Sequence, residues 1–292
     1  MSEADLQAWV GKTEIRHDIV SAGPVQRLQA VFDVVPDAKD GTPLPPLFHW
    51  LYFLETARQS DLGPDGHPKL GNFLPPVSAP PLNLTRRMWA GARLKFLGAL
   101  LIGEPVKRIS TIRSVAFKQG RSGPLCFVTV EHMIAGEHSG GVIEEQHDIV
   151  YRSPDQTSHN QPVHAAPTLI APHQSNVDQS TLAQTIVPSE VMLFRYSALT
   201  FNGHRIHYDR DYCRSVEGYP GLVFHGPLTA TLLARLACQA NAGKAMTAFS
   251  FKARAPLYDP HPFTLHGEAY GTFTAKTPEG QVAMEASAEF EC

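Results

Sequence analysis

The fold of the chain is decided by residues 194–236, which read FRYSALTFNGHRIHYDRDYCRSVEGYPGLVFHGPLTATLLARL. The first part of this stretch places four polar or protonatable side chains close together: Asn202, His204, His207 and Asp209. The second part, GLVFHGP at residues 221–227, leads into apolar residues at helical spacing, and proline is favoured in the first turn of a helix. The pattern predicts a helix over residues 226–241 whose N-terminus lies beside the histidines.

Apolar segments on both sides of this stretch predict strands. After the helix, strands are expected at residues 246–253, 263–273 and 281–290, and in the first half of the chain at 93–102, 106–118, 125–134 and 142–151. Short turns rich in glycine separate them, whereas parallel neighbours would need long crossover connections. The sequence therefore predicts two antiparallel sheets and, before the first of them, short helices at residues 4–10 and 24–34.

Changes in composition along the chain indicate two tandem units. Residues 153–189 are rich in Pro, Gln, Ser and Asn, and only 182–187 hint at order, so this segment is expected to be a linker. It would separate an N-terminal unit, 1–152, from a C-terminal unit, 190–292. The second unit carries the polar cluster, so the first is expected to be non-catalytic. The Gly- and Pro-rich residues 61–81 are expected to form, in part, a loop over a groove.

Composition excludes several classes of function. The chain has 292 residues, a net charge of −3, 43% hydrophobic and 18% charged residues, which is typical of a globular protein. No basic stripe offers a nucleic-acid surface, and neither a secretory signal nor a membrane span is expected. The four cysteines form no closely spaced pair. A cytoplasmic protein without nucleic-acid or membrane partners is the expectation.

The polar cluster and the helix entrance together resemble the MaoC-like hydratases and dehydratases of the hotdog fold. Their signature, Asp-x-Asn-Pro-(Ile/Leu)-His-x-Asp followed by Gly-x-(Ile/Val)-x-His-Gly, matches here at His207 and Asp209 and at residues 221–226. Three positions depart from it, with Asn202 for Asp, His204 for Asn and Arg205 for Pro. The segment FNGHRIHYD at residues 201–209 is similar to a subgroup of mitochondrial-type 3-hydroxyacyl-thioester dehydratases, mesaconyl-C4-CoA hydratases and itaconyl-CoA hydratases. Residues 71–76 and 86–91 are also similar to that subgroup.

This resemblance implies an α+β double hotdog, in which an antiparallel sheet wraps a central helix. It implies hydration of an enoyl-CoA thioester, with CoA as part of the substrate and no separate cofactor. The carboxylated substrates itaconyl-CoA and mesaconyl-C4-CoA, each hydrated to citramalyl-CoA, are favoured. The alternatives are a 3-hydroxyacyl-thioester dehydratase of fatty-acid type and a non-catalytic acyl-CoA-binding protein. A homodimer of double hotdogs and a monomer are both open.

Adding water to an enoyl thioester requires a proton-transfer group, a held water and a donor for the thioester oxygen. The N–H groups of a helix N-terminus favour an anion, so Gly226 is the expected donor, with Gly221 and His225 shaping the entrance. His207 is the expected acid/base. Asn202 can orient water but cannot carry a proton. Either Asn202 positions water for His207, or the acid/base role passes to His204 or Asp209. The competing interpretations are that the histidines only pack and that Asp209 only caps a helix. A zinc site at His204 and His207 lacks further ligands, so no metal is expected.

A free carboxylate on the substrate calls for a fixed cation, and arginine binds carboxylates in a bidentate manner. Arg205, inside the polar cluster, is the first candidate and Arg87 the second. Trp89 is expected to line the acyl or CoA channel, and Lys252 and Arg254 to meet CoA phosphates. The alternative for these side chains is ordinary solvated surface or core packing.

Overall fold

A computed structural model gives the structure of the protein and describes residues 3–69, 73–78, 80, 82–120, 123–153, 182–267 and 271–292. Within these ranges the strands join into one sheet in which every pairing is antiparallel. The strands are β1 (Thr13–Ile19), β2 (Arg86–Leu97), β3 (Pro105–Gly120), β4 (Gly123–Gly136), β5 (Val142–Arg152), β6 (Leu182–Ile186), β7 (Met246–Ala253), β8 (Phe263–Gly267), β9 (Thr272–Lys276) and β10 (Val282–Phe290).

The strand order shows that the sheet is built from two copies of one pattern. It runs β1-β3-β4-β5-β2-β7-β10-β9-β8-β6, so each half places its own first strand at the outer edge and its second strand at the centre. The halves meet where β2 pairs with β7, from Gly91 opposite Lys252 to Lys95 opposite Ala248. The first half comes from residues before the expected linker, and the second from residues after position 181.

A central helix fills the concave face of the second half. The helices are α1 (Glu3–Gln7), α2 (Ala22–Val31), α3 (Glu190–Leu199), α4 (Arg210–Tyr212) and α5 (Gly226–Ala240). The α5 helix is buried on most sides, and its threonines Thr229 and Thr231 satisfy their hydroxyls on carbonyls one turn back. It packs on β7, β8, β9 and β10, whose inward side chains include Phe249, Phe263 and Phe273. Burying such side chains contributes about 2 kcal/mol each, and this packing holds the helix against the sheet.

The first half has no such helix among its described residues. Between α2 and β2 they form only two short 3₁₀ turns, Phe48–Leu51 and Gln59–Asp61. The buried carboxylate of Glu145 lies beneath the first turn and binds His49 Nε2 at 3.1 Å, Trp50 Nε1 at 2.8 Å and His147 Nε2 at 2.5 Å. A polar and aromatic cluster therefore covers the sheet where the second half uses an apolar helix.

Several expectations from the sequence need correction. The strand β1 and the helix α3 were not expected; Ile15 in β1 is 55% exposed, so this edge strand carries no apolar stripe to reveal it. The single strand expected at residues 263–273 is two, β8 and β9. The linker is shorter at its end than expected, because Leu182–Ile186 pairs with β8. Residues 154–181 of that linker, and Gly71 and Asn72 of the family-like segment, lie outside the described residues.

The helices of the described residues are all too short, or too polar, to cross a lipid bilayer.

Candidate active site

The N-terminus of α5 presents an unpaired backbone donor. His225 is the residue before the helix, Gly226 begins it and Pro227, which has no N–H, follows. In the described part of the chain, no carbonyl accepts a hydrogen bond from the Gly226 N–H. A Cβ built on Gly226 would meet no atom within 4 Å, so the space beside it is open. A carbonyl oxygen of a ligand can therefore approach this N–H closely.

His207 lies beside this donor with its tautomer fixed. It ends the 3₁₀ turn Arg205–His207, and its Nδ1–H donates to the carbonyl of Val223 at 2.7 Å. The N–H of Val223 in turn donates to the carbonyl of Ile206 at 2.9 Å, which ties this turn to the α5 entrance. His207 is only 7% exposed, and burial lowers its pKa to about 4. The ring is therefore neutral at pH 7, with the Nε2 lone pair available as a base.

His225 packs against the ring of His207. The two rings are stacked, with centroids 3.7 Å apart and an interplanar angle of 18°. His225 Nε2 lies 2.9 Å from the hydroxyl of Ser197 on α3, and its buried Nδ1 has no hydrogen-bond partner within the described residues. Burial, and then the charges of neighbouring histidines, hold the pKa of His225 well below its usual range. The geometry thus gives His225 a supporting contact with the base.

Asn202 and His204 form the turn that leads into His207. The side-chain oxygen of Asn202 accepts from the backbone N–H of His204 at 3.0 Å, and the Asn202 N–H donates to the carbonyl of Ser197. The Asn202 oxygen therefore accepts a hydrogen bond within the turn. The His204 ring lies edge-on to His207 at 5.6 Å between centroids. Burial lowers the pKa of His204 to about 2, with the charges of His67 and His207 adding to the effect.

The first unit, expected to be non-catalytic, adds two side chains to this site. Its loop at residues 61–69 packs so closely on the turn that a Cβ on Gly66 would lie 1.9 Å from the carbonyl oxygen of Gly203. The carbonyl of Asp65 accepts from the backbone N–H of Arg205 at 2.9 Å. His67, on the same loop, packs against His204 at 4.0 Å between centroids with an interplanar angle of 39°. Residues 61–69 therefore form a loop over this turn, whereas the sequence predicted a loop over a groove without placing it here.

The result is a row of four imidazole rings, which we call the histidine row: His67, His204, His207 and His225. At its outer end, the Asp65 carboxylate lies 3.1 Å from His67 Nδ1. Sequence reasoning missed Asp65 and His67, although the segment Asp-Gly-His-Pro at residues 65–68 is a turn that carries a carboxylate and an imidazole two positions apart.

Asp65, His67 and His204 have the atom types of a metal site, and their candidate ligand atoms lie within 4.8 Å of one another. Two imidazoles on one tetrahedral zinc ion have ring centres about 5 Å apart, given a Zn–N distance of about 2 Å. The ring centroids of His67 and His204 lie 4.0 Å apart instead, with an interplanar angle of 39°. Asp65 also directs its carboxylate to His67 as a hydrogen-bond acceptor. The geometry fits a hydrogen-bonded carboxylate–imidazole pair better than a metal centre.

Arg205 does not present its charge to the histidine row. Its guanidinium binds the Asp209 carboxylate at 2.7 and 3.0 Å, donates to the carbonyl of Pro64 and lies over the ring of Tyr212. The side chain is 37% exposed. A substrate carboxylate at Arg205 would therefore have to compete with Asp209 for this guanidinium. The four-residue spacing of these two residues was a sequence signal for this pair.

Asp209 and Gly221 both have structural roles. Asp209 accepts from the Tyr212 N–H at 2.9 Å, so it caps the short α4 helix, as the simpler of its two interpretations held. A Cβ on Gly221 would lie 2.4 Å from the carbonyl oxygen of Asp259, so glycine is required there for close packing. Buried Asp259 holds this segment through the Leu222 N–H and the Arg210 guanidinium.

The remaining candidates fall into two groups. Arg87 and Trp89 both lie on β2. The charge of Arg87 lowers the pKa of His204, whereas Trp89 packs on Trp50 and Phe251. Lys252 and Arg254 alternate with the inward-facing Phe251 along the chain, which places them on the outer face of the sheet, and Arg254 pairs with Glu285 at 2.8 Å. The structure thus brings Arg87 towards the histidine row, but not Lys252 or Arg254.

Comparison with known families and proteins identifies related sequences. The family model of type 2 hydroxyacyl-thioester dehydratases matches residues 47–259. A mesaconyl-C(4)-CoA hydratase from Chloroflexus aurantiacus is 46% identical over 296 residues, covering 99% of each chain. A mitochondrial type 2 hydroxyacyl-thioester dehydratase from Schizosaccharomyces pombe is 27% identical, covering 85% of this chain and 87% of the relative.

Solved structures are similar in fold. A MaoC-like dehydratase from Phytophthora capsici superposes with a TM-score of 0.67 at 14% identity, covering all of both chains. A Mycobacterium tuberculosis protein described as having a double hotdog fold gives a TM-score of 0.59 at 11% identity, covering 96% of each chain. The α+β double hotdog expected from the sequence is thereby confirmed.

Proposed function

Because the chain belongs to the family of type 2 hydroxyacyl-thioester dehydratases, we propose that it hydrates the C=C bond of a short-chain enoyl-CoA that carries a free carboxylate, with mesaconyl-C4-CoA as the first candidate. The protein is an enzyme, a hydro-lyase. The carboxylated substrate is supported by the 46% identical relative, which is named for that activity. Itaconyl-CoA is the second candidate because it is an isomer with the same charged groups.

The observation that carries the proposal is the pairing of a fixed neutral imidazole with an unpaired helix N–H. His207 Nε2 takes a proton from water as the water oxygen bonds to the β-carbon of the enoyl group. The π electrons shift towards the thioester, and its oxygen gains negative charge. The Gly226 N–H and the positive end of α5 stabilise that charge. His225 and the Val223 carbonyl hold His207 in place for this step.

For the free carboxylate of the substrate, Arg87 is the candidate binding residue. It lies close enough to His204 for its charge to affect the pKa of that ring, and it also interacts with the Tyr151 hydroxyl. Arg205 is the second candidate, because its guanidinium already pairs with Asp209. The acyl group would then lie between Gly226 and Arg87, with Trp89 along its path.

A substrate panel tests the proposal. The purified protein is assayed with mesaconyl-C4-CoA, itaconyl-CoA, crotonyl-CoA and a medium-chain enoyl-CoA, following loss of the enoyl absorbance and the mass of the hydrated product. We expect kcat/KM for a carboxylated substrate to exceed that for crotonyl-CoA at least 100-fold. Equal rates on crotonyl-CoA would instead favour the fatty-acid-type dehydratase, which the family model and the fission-yeast relative represent.

The proposal carries three further expectations. CoA is part of the substrate, and no separate cofactor or metal takes part. We expect a homodimer of double hotdogs, to be measured by light scattering after size-exclusion chromatography. A cytoplasmic location is expected, by analogy with the bacterial relative.

A further inference from the structure

The site lacks the carboxylate that the family signature places five residues before the histidine of its first motif, at the position of Asn202. An amide cannot carry a proton, and the Asn202 oxygen is used to hold the His204 N–H. Hydration still needs an acid, because the α-carbon gains a proton while His207 takes one from water. We propose that His67 donates this proton and that Asp65, on the same loop of the first unit, positions it. This inference rests on the proposed hydration.

The contacts of the loop support this assignment. Gly66 lies against the Gly203 carbonyl, and the Asp65 carbonyl binds the Arg205 N–H, so both flanks of Asp65 and His67 are fixed to the turn that carries His207. The Asp65 carboxylate binds His67 Nδ1 at 3.1 Å and also accepts from the His67 backbone N–H at 3.1 Å. The tautomer that results leaves His67 Nε2 as the ring nitrogen available to a substrate. His67 and His207 are thus both oriented through a hydrogen bond at Nδ1.

The charges around the two imidazoles differ in the way that an acid and a base require. His207 is enclosed by apolar groups and two further imidazoles, and burial keeps it neutral with a pKa of about 4. At Asp65, burial acts to raise the pKa, but hydrogen bonds and charge from His67 outweigh it, so the carboxyl pKa lies below its usual value. Asp65 is therefore ionised at pH 7. A carboxylate against one imidazole, and none against the other, separates the roles of the two rings.

The charged and titratable groups facing His67 come from three elements. Asp65 lies on its own loop, His204 and His207 come from the turn at residues 202–207, and Arg87 lies on β2 beside His204. The carboxylate is in direct contact with His67, whereas Arg87 acts from beyond His204. The Arg205 guanidinium, the next nearest along the chain, is bound by Asp209 and Pro64.

The proposed step is balanced. His207 Nε2 takes a proton from water, the oxygen–β-carbon bond forms, and the C=C π pair moves to give an enolate held at Gly226. The enolate then re-forms the C=O bond as the α-carbon takes the proton from His67 Nε2–H. The product is the 3-hydroxyacyl thioester, with His207 protonated and His67 neutral. Solvent returns the proton from His207 to His67 before the next turnover. His67 is the catalytic residue in this scheme, and Asp65 is its positioning residue.

The test compares His67→Gln and Asp65→Asn with the wild type and with Lys69→Gln, a control on the same loop whose ammonium donates to the carbonyl of Ser60. Turnover of the best substrate from the panel is measured from pH 5 to pH 10. We expect His67→Gln to lower kcat at least 100-fold with KM changed less than threefold. Asp65→Asn should lower kcat about 10-fold and change the alkaline limb of the kcat profile, because an amide replaces the carboxylate that accepts from His67 Nδ1. Lys69→Gln should match the wild type.

A second measurement follows the α-carbon alone. The saturated analogue of mesaconyl-C4-CoA is incubated with enzyme in D₂O, and deuterium uptake at its α-carbon is read by mass spectrometry. The exchange requires His67 and Gly226 but no water addition, so His67→Gln should abolish it while His207→Gln retains it. A role of the loop limited to folding would lower both activities together and leave the pH profile in place.

Three outcomes would overturn the inference. The first is wild-type kcat and pH profile in both loop variants. The second is normal α-carbon exchange in folded His67→Gln. The third is loss of wild-type turnover with a chelator and its recovery with Zn²⁺, which would make Asp65, His67 and His204 a metal site. If the wild type hydrates no enoyl-CoA in the panel, the proposed function itself fails, and that result is separate from these three.

Discussion

The Nδ1–H of His207 donates to the carbonyl of Val223 at 2.7 Å, across sixteen positions of sequence. Val223 lies three residues before the first residue of α5, so this bond sets the distance between the base and the helix N-terminus. It also decides the chemistry of the ring, because the tautomer leaves only Nε2 to accept a proton. One backbone contact thus couples the two halves of the catalytic segment.

Substituting His207 tests its role as the base. His207→Ala is expected to lower kcat at least 1,000-fold, near the upper end of the usual contribution of a general acid–base group. His17→Ala, at an exposed position on β1, is the matched control and should retain wild-type activity. Circular dichroism would check that both variants are folded. A folded His207→Ala with more than one tenth of wild-type activity would contradict the mechanism.

Buried neutral histidines predict loss of stability in acid. The pKa values of His207 and His204 in the fold are about 4 and about 2, and that of His225 lies well below its usual range. Below pH 6.5 the unfolded chain binds protons on these rings and the folded chain does not, so the free energy of unfolding falls as the pH drops. For His207 alone the loss is about 3 kcal/mol by pH 4.

Urea unfolding between pH 7.5 and pH 4.5 measures this effect. His207→Gln should show a shallower decline than the wild type, because one of the titrating groups is gone. A free energy of unfolding that is constant over this range would show that the histidine row is not kept neutral by the fold.

Two glycines of the same motif should respond differently to alanine. Gly226→Ala adds a methyl group to open space, so stability should not fall, but the methyl occupies the approach to the N–H and kcat/KM should drop about 10- to 100-fold. Gly221→Ala places a methyl group 2.4 Å from the Asp259 carbonyl oxygen and should cost about 1–3 kcal/mol of stability. Thermal unfolding and steady-state kinetics on both variants separate the two cases. The reverse pattern would exchange the roles given to these residues.

Two arginines provide a similar comparison for substrate selection. Arg87→Gln is expected to lower kcat/KM for the carboxylated enoyl-CoA about 100-fold while changing that for crotonyl-CoA less than threefold, since only the former has a charge to bind. Arg205→Gln should leave the ratio of the two constants unchanged, because Asp209 already engages that guanidinium. A loss of selectivity in Arg205→Gln alone would place the substrate carboxylate at the other arginine.

Local patterns were enough to predict much of the second half. The start of α5 at Gly226 and the strand at residues 246–253 follow directly from apolar spacing and from the Gly-Pro step. The contacts between distant segments could not be predicted in this way. Nothing near Asp65 indicates that its loop meets Gly203, because that contact joins residues more than 130 positions apart and depends on the absence of both side chains. The contacts of Arg205 were only partly predictable for a related reason. Its partner Asp209 is close in sequence, but the Pro64 carbonyl comes from the first unit.

The contact between Gly66 and Gly203 also constrains how such a protein can change over generations. The two glycines sit in separate units, yet neither position can accept a larger residue unless the other segment retreats. Retreat would carry Asp65 and His67 away from the base, so the two segments are expected to coevolve even though they lie far apart in the chain.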